Sequence, residues 1–167
     1  MIILDTSVAT KWFVPAEPLA AEAERVLDAI AADPQPYAVP ELFMNELLAV
    51  LARLPGATTE QVVSAVSLVE SLGLARIGNG HELLATAAGF ACEWGLSGCD
   101  AVYVATAALG NGVWLTADGR WPGGQEDPPQ APRPCSRSVS PRGPPARARA
   151  ADSRIAGPGS HPLPTCV

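Results

Sequence analysis

Four short strand-like runs, Met1–Leu4, Tyr37–Val39, Leu74–Ile77 and Val113–Thr116, are separated by long stretches of helical periodicity. No two of them are close enough to close a hairpin, so each must be a strand reached through a helical crossover, which makes the sheet parallel. Between them the pattern predicts helices over Pro18–Ala32, Glu41–Leu54, Thr58 or Thr59 to about Ser71, His81–Trp94 and Gly98–Leu109. Pro34-Gln35-Pro36, Pro55-Gly56 and Gly73 stop the first three, Pro40 is placed to open the second, and Asn111-Gly112 turns the chain into the final strand. A parallel sheet must be covered by helices on both faces, and such folds bind ligands at the carboxyl ends of their strands.

Four acids occupy positions where this architecture does not place a carboxylate by default. Asp5 ends the first apolar run and Asp118 follows the last one, so two independent strands bring an acid to one rim. Each has a local alternative: Asp5 can cap the turn that follows with Thr6 and Ser7, and Asp118-Gly119 is a common turn pair. Glu46 interrupts the apolar stripe Phe43, Leu47, Val50, Leu51 and Leu54, and therefore points toward the covered side unless it lies at the stripe's border. Glu41, beside the helix start, answers the helix dipole. Asp100 opens a helix whose next nine residues, Ala101–Leu109, carry no charge, and Ser97-Gly98-Cys99-Asp100 fits a capping box. Four carboxylates on one rim would be hard oxygen ligands for Mg²⁺ or Mn²⁺, the ions that serve phosphodiester hydrolysis, and the expected class is a metal-dependent nuclease.

The remaining composition excludes other classes. No apolar stretch approaches the roughly 20 residues of a membrane span, and the start Met1-Ile2-Ile3-Leu4-Asp5 lacks a basic leader, so the expectation is a cytoplasmic protein with no membrane contact. Cys92, Cys99, Cys135 and Cys166 form no CxxC pair and lack a histidine nearby, which predicts free thiols without zinc. Neither a Ser-His-Asp order nor a phosphate-cradling glycine loop is present, so no protein nucleophile is expected. Up to Arg120 fourteen acids face five bases, a net of −9 that leaves Lys11, Arg53 and Arg76 as the few candidates for phosphate contacts. Beyond Arg120 six arginines face three acids, and 11 of the 17 prolines fall there. That composition predicts a domain over 1–120 and a disordered Pro/Arg/Gly/Ser-rich tail over 121–167.

The segments Ile2-Ile3-Leu4-Asp5-Thr6-Ser7-Val8, Pro40-Glu41-Leu42 with Glu46 behind it, Asp100-Ala101-Val102-Tyr103-Val104-Ala105 and Leu115-Thr116-Ala117-Asp118 together resemble a PIN domain. The order and spacing are most similar to the VapC toxins of toxin–antitoxin pairs, over Met1 to about Arg120. The resemblance implies a three-layer α/β/α sandwich and an Mg²⁺- or Mn²⁺-dependent endoribonuclease acting on RNA. It further implies a homodimer held inactive by a VapB-like antitoxin. Carried over residue by residue, Asp5, Glu46, Asp100 and Asp118 form the acidic metal and catalytic site, with Thr6 or Thr116 as supporting hydroxyls. After Asp118 the family's pattern continues with a helix and a last strand, whereas this chain turns to Trp121-Pro122-Gly123-Gly124. A reading-frame shift near Arg120, which sequencing the locus tests, is the expected cause, and a genuine basic tail that gathers RNA is the alternative. Two further classes stay open: a catalytically impaired remnant that only binds an antitoxin or another protomer, and a nuclease acting on DNA or in RNA maturation. The apolar faces of Leu19–Ile30 and Val62–Val69 fit a dimer surface and core packing equally.

Overall fold

The computed structural model describes residues 1–14 and 18–118. The tail expected over 121–167, with Cys135 and Cys166, lies outside the described residues. Four strands, β1 (Ile2–Leu4), β2 (Tyr37–Pro40), β3 (Ala75–Ile77) and β4 (Val113–Leu115), form one sheet in the order β3-β2-β1-β4, with every pairing parallel. Register is set by Ile3 opposite Ala38 on one side and Trp114 on the other. The chain therefore leaves β1 toward β2 and β3, then returns to the opposite side of β1 for β4. That reversal creates a switch point at the carboxyl ends of β1 and β4, where open α/β sheets leave a crevice for ligands.

Six helices flank the sheet: α1 (Thr6–Thr10), α2 (Ala20–Ala32), α3 (Leu42–Leu51), α4 (Thr59–Ser71), α5 (His81–Trp94) and α6 (Gly98–Leu109). Their boundaries have local causes. Thr58 caps α4 in a reciprocal box with Gln61, and Gly73 and Gly95 take the left-handed conformation just beyond α4 and α5. Helix α1 is the element the sequence pattern does not announce. Its five residues, Thr-Ser-Val-Ala-Thr, include three β-branched side chains and read as a turn, yet Thr6, Val8, Ala9 and Thr10 are buried and α1 packs against α3.

The uncharged helix α6 is central, as its composition predicts, with Ala101 through Ala107 all buried. One side contributes Tyr103 and Ala107 to the main core of Ile3, Leu4, Val39, Phe43 and Leu47. The other side meets Leu83, Ala87 and Phe90 of α5. Each large apolar side chain withdrawn from water here contributes on the order of 2 kcal/mol before conformational entropy is set against it. Three expectations need correction. Pro40 closes β2 instead of opening α3, because the chain is still extended and buried there. Leu19 is 51% exposed in a left-handed conformation at the end of α2, so it lies off that helix's buried face. Val50 is 37% exposed, so the buried stripe of α3 is Phe43, Leu47 and Leu51.

Candidate active site

The rim of the sheet is assembled around Asp5. The first residue beyond β1, it donates its backbone N–H to the carbonyl of Leu115 (3.0 Å), continuing the ladder with β4, while its side chain caps α1. Its Oδ1 accepts from the Ser7 amide at 2.7 Å and its Oδ2 accepts from Trp114 Nε1 at 2.9 Å. Asp5 is thus a cap and a rim residue at once, and one capping bond leaves carboxylate lone pairs free for other work. At 8% exposure the carboxyl is held above its usual range, chiefly by burial. The bonds from Ser7 and Trp114 oppose that shift, and the charge of Glu46 adds to it.

Glu46, half-buried on α3, accepts a 2.7 Å bond from the Tyr103 hydroxyl at Oε2, with Thr6 Oγ1 at 3.4 Å from the same oxygen. It also accepts from the Cys99 thiol, which burial, that bond and the charges of Glu46 and Asp100 push up to about 11. Cys99, which forms no disulfide, consequently stands between two acids. At the start of α6, Asp100 donates its amide to Ser97 Oγ (3.1 Å) and accepts from that hydroxyl at Oδ2 (2.8 Å). The cap and the acid therefore engage each other through the Ser97 side chain.

Asp5 feels the charge of Glu46, and Cys99 feels the charges of Glu46 and Asp100. Asp118 reaches the rim by its backbone, three residues past Leu115, with its amide donating to Thr116 Oγ1 (3.1 Å), and it is exposed. Thr116 Oγ1 lies 3.2 Å from Ser7 Oγ, and Ser7 Oγ accepts from the Ala117 amide at 2.9 Å, which ties the end of β4 to α1. Thr6 instead faces inward, with Oγ1 2.7 Å from the Tyr103 hydroxyl and 3.3 Å from the carbonyl of Phe43. Among the described residues no group of three His, Cys, Asp or Glu side chains is arranged to hold an ion. The donor set nevertheless suits a hard divalent cation by its chemistry, since it consists of carboxylates, two of which, Asp5 and Glu46, repel one another.

Sequence reasoning did not single out Tyr103, Trp114, Ser7 or Cys99. Tyr103 carried a usable signal, being the one aromatic in α6, where every residue after Asp100 other than Tyr103 and Thr106 is apolar. Of the cations considered for phosphate contacts, Arg76 is engaged by Glu70 at 3.1 Å, an exposed pair. No helix among the described residues is long and apolar enough to cross a membrane.

The fold is similar to two solved structures. One is the crystal structure of Mycobacterium tuberculosis VapC20, described as a Sarcin-Ricin loop cleaving toxin, with a TM-score of 0.58 and 18% identity over 72% of this chain and 92% of that one. The other is a toxin-antitoxin complex from Klebsiella pneumoniae, with a TM-score of 0.57 and 18% identity over 74% of this chain and 92% of its own. No curated protein sequence matches the chain. The PIN domain family model matches residues 2–123, a span that contains the whole sheet, all six helices and the four rim acids, and the chain therefore belongs to the PIN domain family.

Proposed function

We propose that this chain is a divalent-cation-dependent endoribonuclease and the toxin half of a toxin–antitoxin pair. The observation that supports the reading is that Asp5, just beyond β1, feels the charge of Glu46, an acid 41 positions away in sequence, while Cys99 feels the charges of both Glu46 and Asp100. Asp5, Glu46, Asp100 and Asp118 would hold Mg²⁺ or Mn²⁺. Bound there, such an ion offsets the charge that develops on the phosphate oxygens and makes water easier to deprotonate. The chain's own residues do the positioning: Ser7 and Trp114 fix Asp5, and Tyr103 fixes Glu46. Asp100, which now accepts from Ser97, would have to release that bond to hold the ion. The antitoxin partner and the homodimer are part of the same proposal; the fold shared with a toxin-antitoxin complex supports the antitoxin partner. So is a cytoplasmic location.

The test is cleavage of RNA by the purified chain with Mn²⁺ or Mg²⁺, with EDTA, and with Asp100→Asn prepared in parallel. Cleavage that disappears in both controls is expected. Equal cleavage by Asp100→Asn would remove Asp100 from the site and indicate a contaminating nuclease. A second reading, a chain that binds its antitoxin without cutting RNA, is favoured by one observation: the carboxylates do not converge three at a time, and Asp100 is held by Ser97. It predicts antitoxin binding with no cleavage under any ion.

A further inference from the structure

We propose that Tyr103 is a positioning residue for Glu46, the last donor of a hydroxyl relay that begins at Thr6. The proposal rests on the reading of Glu46 as an ion ligand and adds to it the device that fixes its carboxylate.

Proton counting sets the direction of the relay. The Tyr103 hydroxyl has one proton and two close oxygens, Glu46 Oε2 at 2.7 Å and Thr6 Oγ1 at 2.7 Å. A carboxylate only accepts, so the tyrosine proton goes to Glu46, and Thr6 must then give its own proton to the tyrosine oxygen. The longer separations from Thr6 to the Phe43 carbonyl (3.3 Å) and to Glu46 (3.4 Å) agree with a Thr6 proton already committed to Tyr103. Burial keeps the phenol far above its ordinary range, so it remains a donor.

The ring makes this donor rigid. Tyr103 is 1% exposed and stacks against Trp114, with ring centroids 6.2 Å apart and planes 16° from parallel. Trp114 in turn donates to Asp5. One aromatic pair therefore holds a donor against each of the two carboxylates that repel one another, so the gap between them is fixed before any ion arrives. Packing alone does not explain the hydroxyl, because phenylalanine would fill the same space without a polar atom to satisfy. Satisfying the phenol does not explain the bond to Glu46 either, since Thr6 would suffice as its partner. A flexible glutamate loses side-chain freedom when it binds an ion, and a donor that holds it in place lowers that cost. Partners of this kind behind a ligand typically change ion affinity by roughly 10- to 100-fold.

The experiment measures Mn²⁺ binding to the full 167-residue chain from the paramagnetic resonance signal of free Mn²⁺, for the parent, Tyr103→Phe, Glu46→Gln and the double variant. Thr106→Val serves as control: its buried hydroxyl lies in the same helix and bonds to the Val102 carbonyl at 2.7 Å, away from the acids. Tyr103→Phe is expected to weaken binding about tenfold, with no further loss when Glu46 is already glutamine. Thr106→Val should lower stability and leave Mn²⁺ affinity unchanged. The proposal is overturned if Tyr103→Phe binds like the parent while Glu46→Gln is weakened, if the two losses multiply, or if Thr106→Val weakens binding as much as Tyr103→Phe. Parent-like binding by Glu46→Gln would instead remove Glu46 as a ligand, and the relay's purpose with it. If Tyr103→Phe does not fold, Thr6→Val breaks the relay one bond earlier and must weaken Mn²⁺ binding for the proposal to stand.

Discussion

Asp5 joins two hydrogen bonds to one buried charge, and two substitutions separate those contributions. Asp5→Ala deletes the cap on α1, which costs about 1 kcal/mol, and leaves Trp114 Nε1–H without its acceptor, which costs about 1–3 kcal/mol. The total is about 2–4 kcal/mol, a fall in melting temperature of roughly 10 °C for a domain of this size. Asp5→Asn keeps the shape and can accept from either the Ser7 amide or Trp114, but its NH2 then faces the other donor. That loss is offset by removing a carboxylate that burial and Glu46 already disfavour. Asp5→Asn should therefore remain within about 1 kcal/mol of the parent. Thermal unfolding followed by circular dichroism in EDTA measures both variants, and repeating it with Mn²⁺ should raise the melting temperature of the parent but of neither variant. The reasoning fails if asparagine is as destabilising as alanine, because the charge on Asp5 would then impose no cost. It fails equally if alanine is neutral, because the two bonds would then hold nothing.

The same carboxyl sets a pH dependence of unusual sign. Its folded pKa is raised above the ordinary 3.8, so between those two values the native state binds more protons than the unfolded one. Its stabilising contribution is complete below the unfolded pKa and declines as pH rises through the folded one; in EDTA the stability difference between parent and Asp5→Asn, from urea midpoints between about pH 4 and pH 7, should move against the parent as pH rises. A difference independent of pH would contradict the raised pKa. Two glycines at the turn into β4 should respond unequally to alanine. A Cβ on Gly112 would stand 2.5 Å from the backbone carbonyl oxygen of Met1, which the ladder holds in place, and should cost about 1–3 kcal/mol. On Gly110 the closest obstacle is the mobile end of the Met1 side chain, so the urea midpoint should fall by less.

The sequence revealed what depends on local periodicity and hid what depends on distant pairing. The uncharged run Ala101–Leu109 in α6 had to be buried on most sides, and its first seven residues are, while Leu109 at its end is exposed. Short apolar runs between amphipathic helices forced a parallel sheet, and every pairing is parallel. The order β3-β2-β1-β4 was not legible, because each strand has three or four residues and carries too little pattern to name its neighbour. The donors to the rim acids were hidden for the same reason: Tyr103 meets Glu46 across 57 positions and Trp114 meets Asp5 across 109, and each resembles an ordinary core aromatic in its own segment. Helix α1 was missed because its β-branched residues are poor helix formers, and tertiary burial outweighs that propensity. The four acids of the expected metal group stood out by residue type and position, and among the described residues no three of them are arranged around one point.

That incomplete convergence has a physical logic. Carboxylates brought fully together without a cation would repel more strongly than their donors could offset, and Asp5 is already disfavoured as a charge, chiefly by burial and further by Glu46. Asp100 avoids adding to that repulsion by holding the Ser97 hydroxyl, at a position where the positive end of the α6 dipole also favours an acid. Giving up that bond would cost about 1 kcal/mol, the value of an ordinary cap, which is small beside the attraction that a divalent ion, on the proposed function, would have for a third carboxylate. The resting arrangement therefore fixes Asp5 and Glu46 through rigid aromatic donors and keeps Asp100 one weak bond away. On the proposed function, an acidic body that repels phosphate would have a direct reason to take up a cation before it meets RNA, because the ion would reverse the sign of the field at the rim.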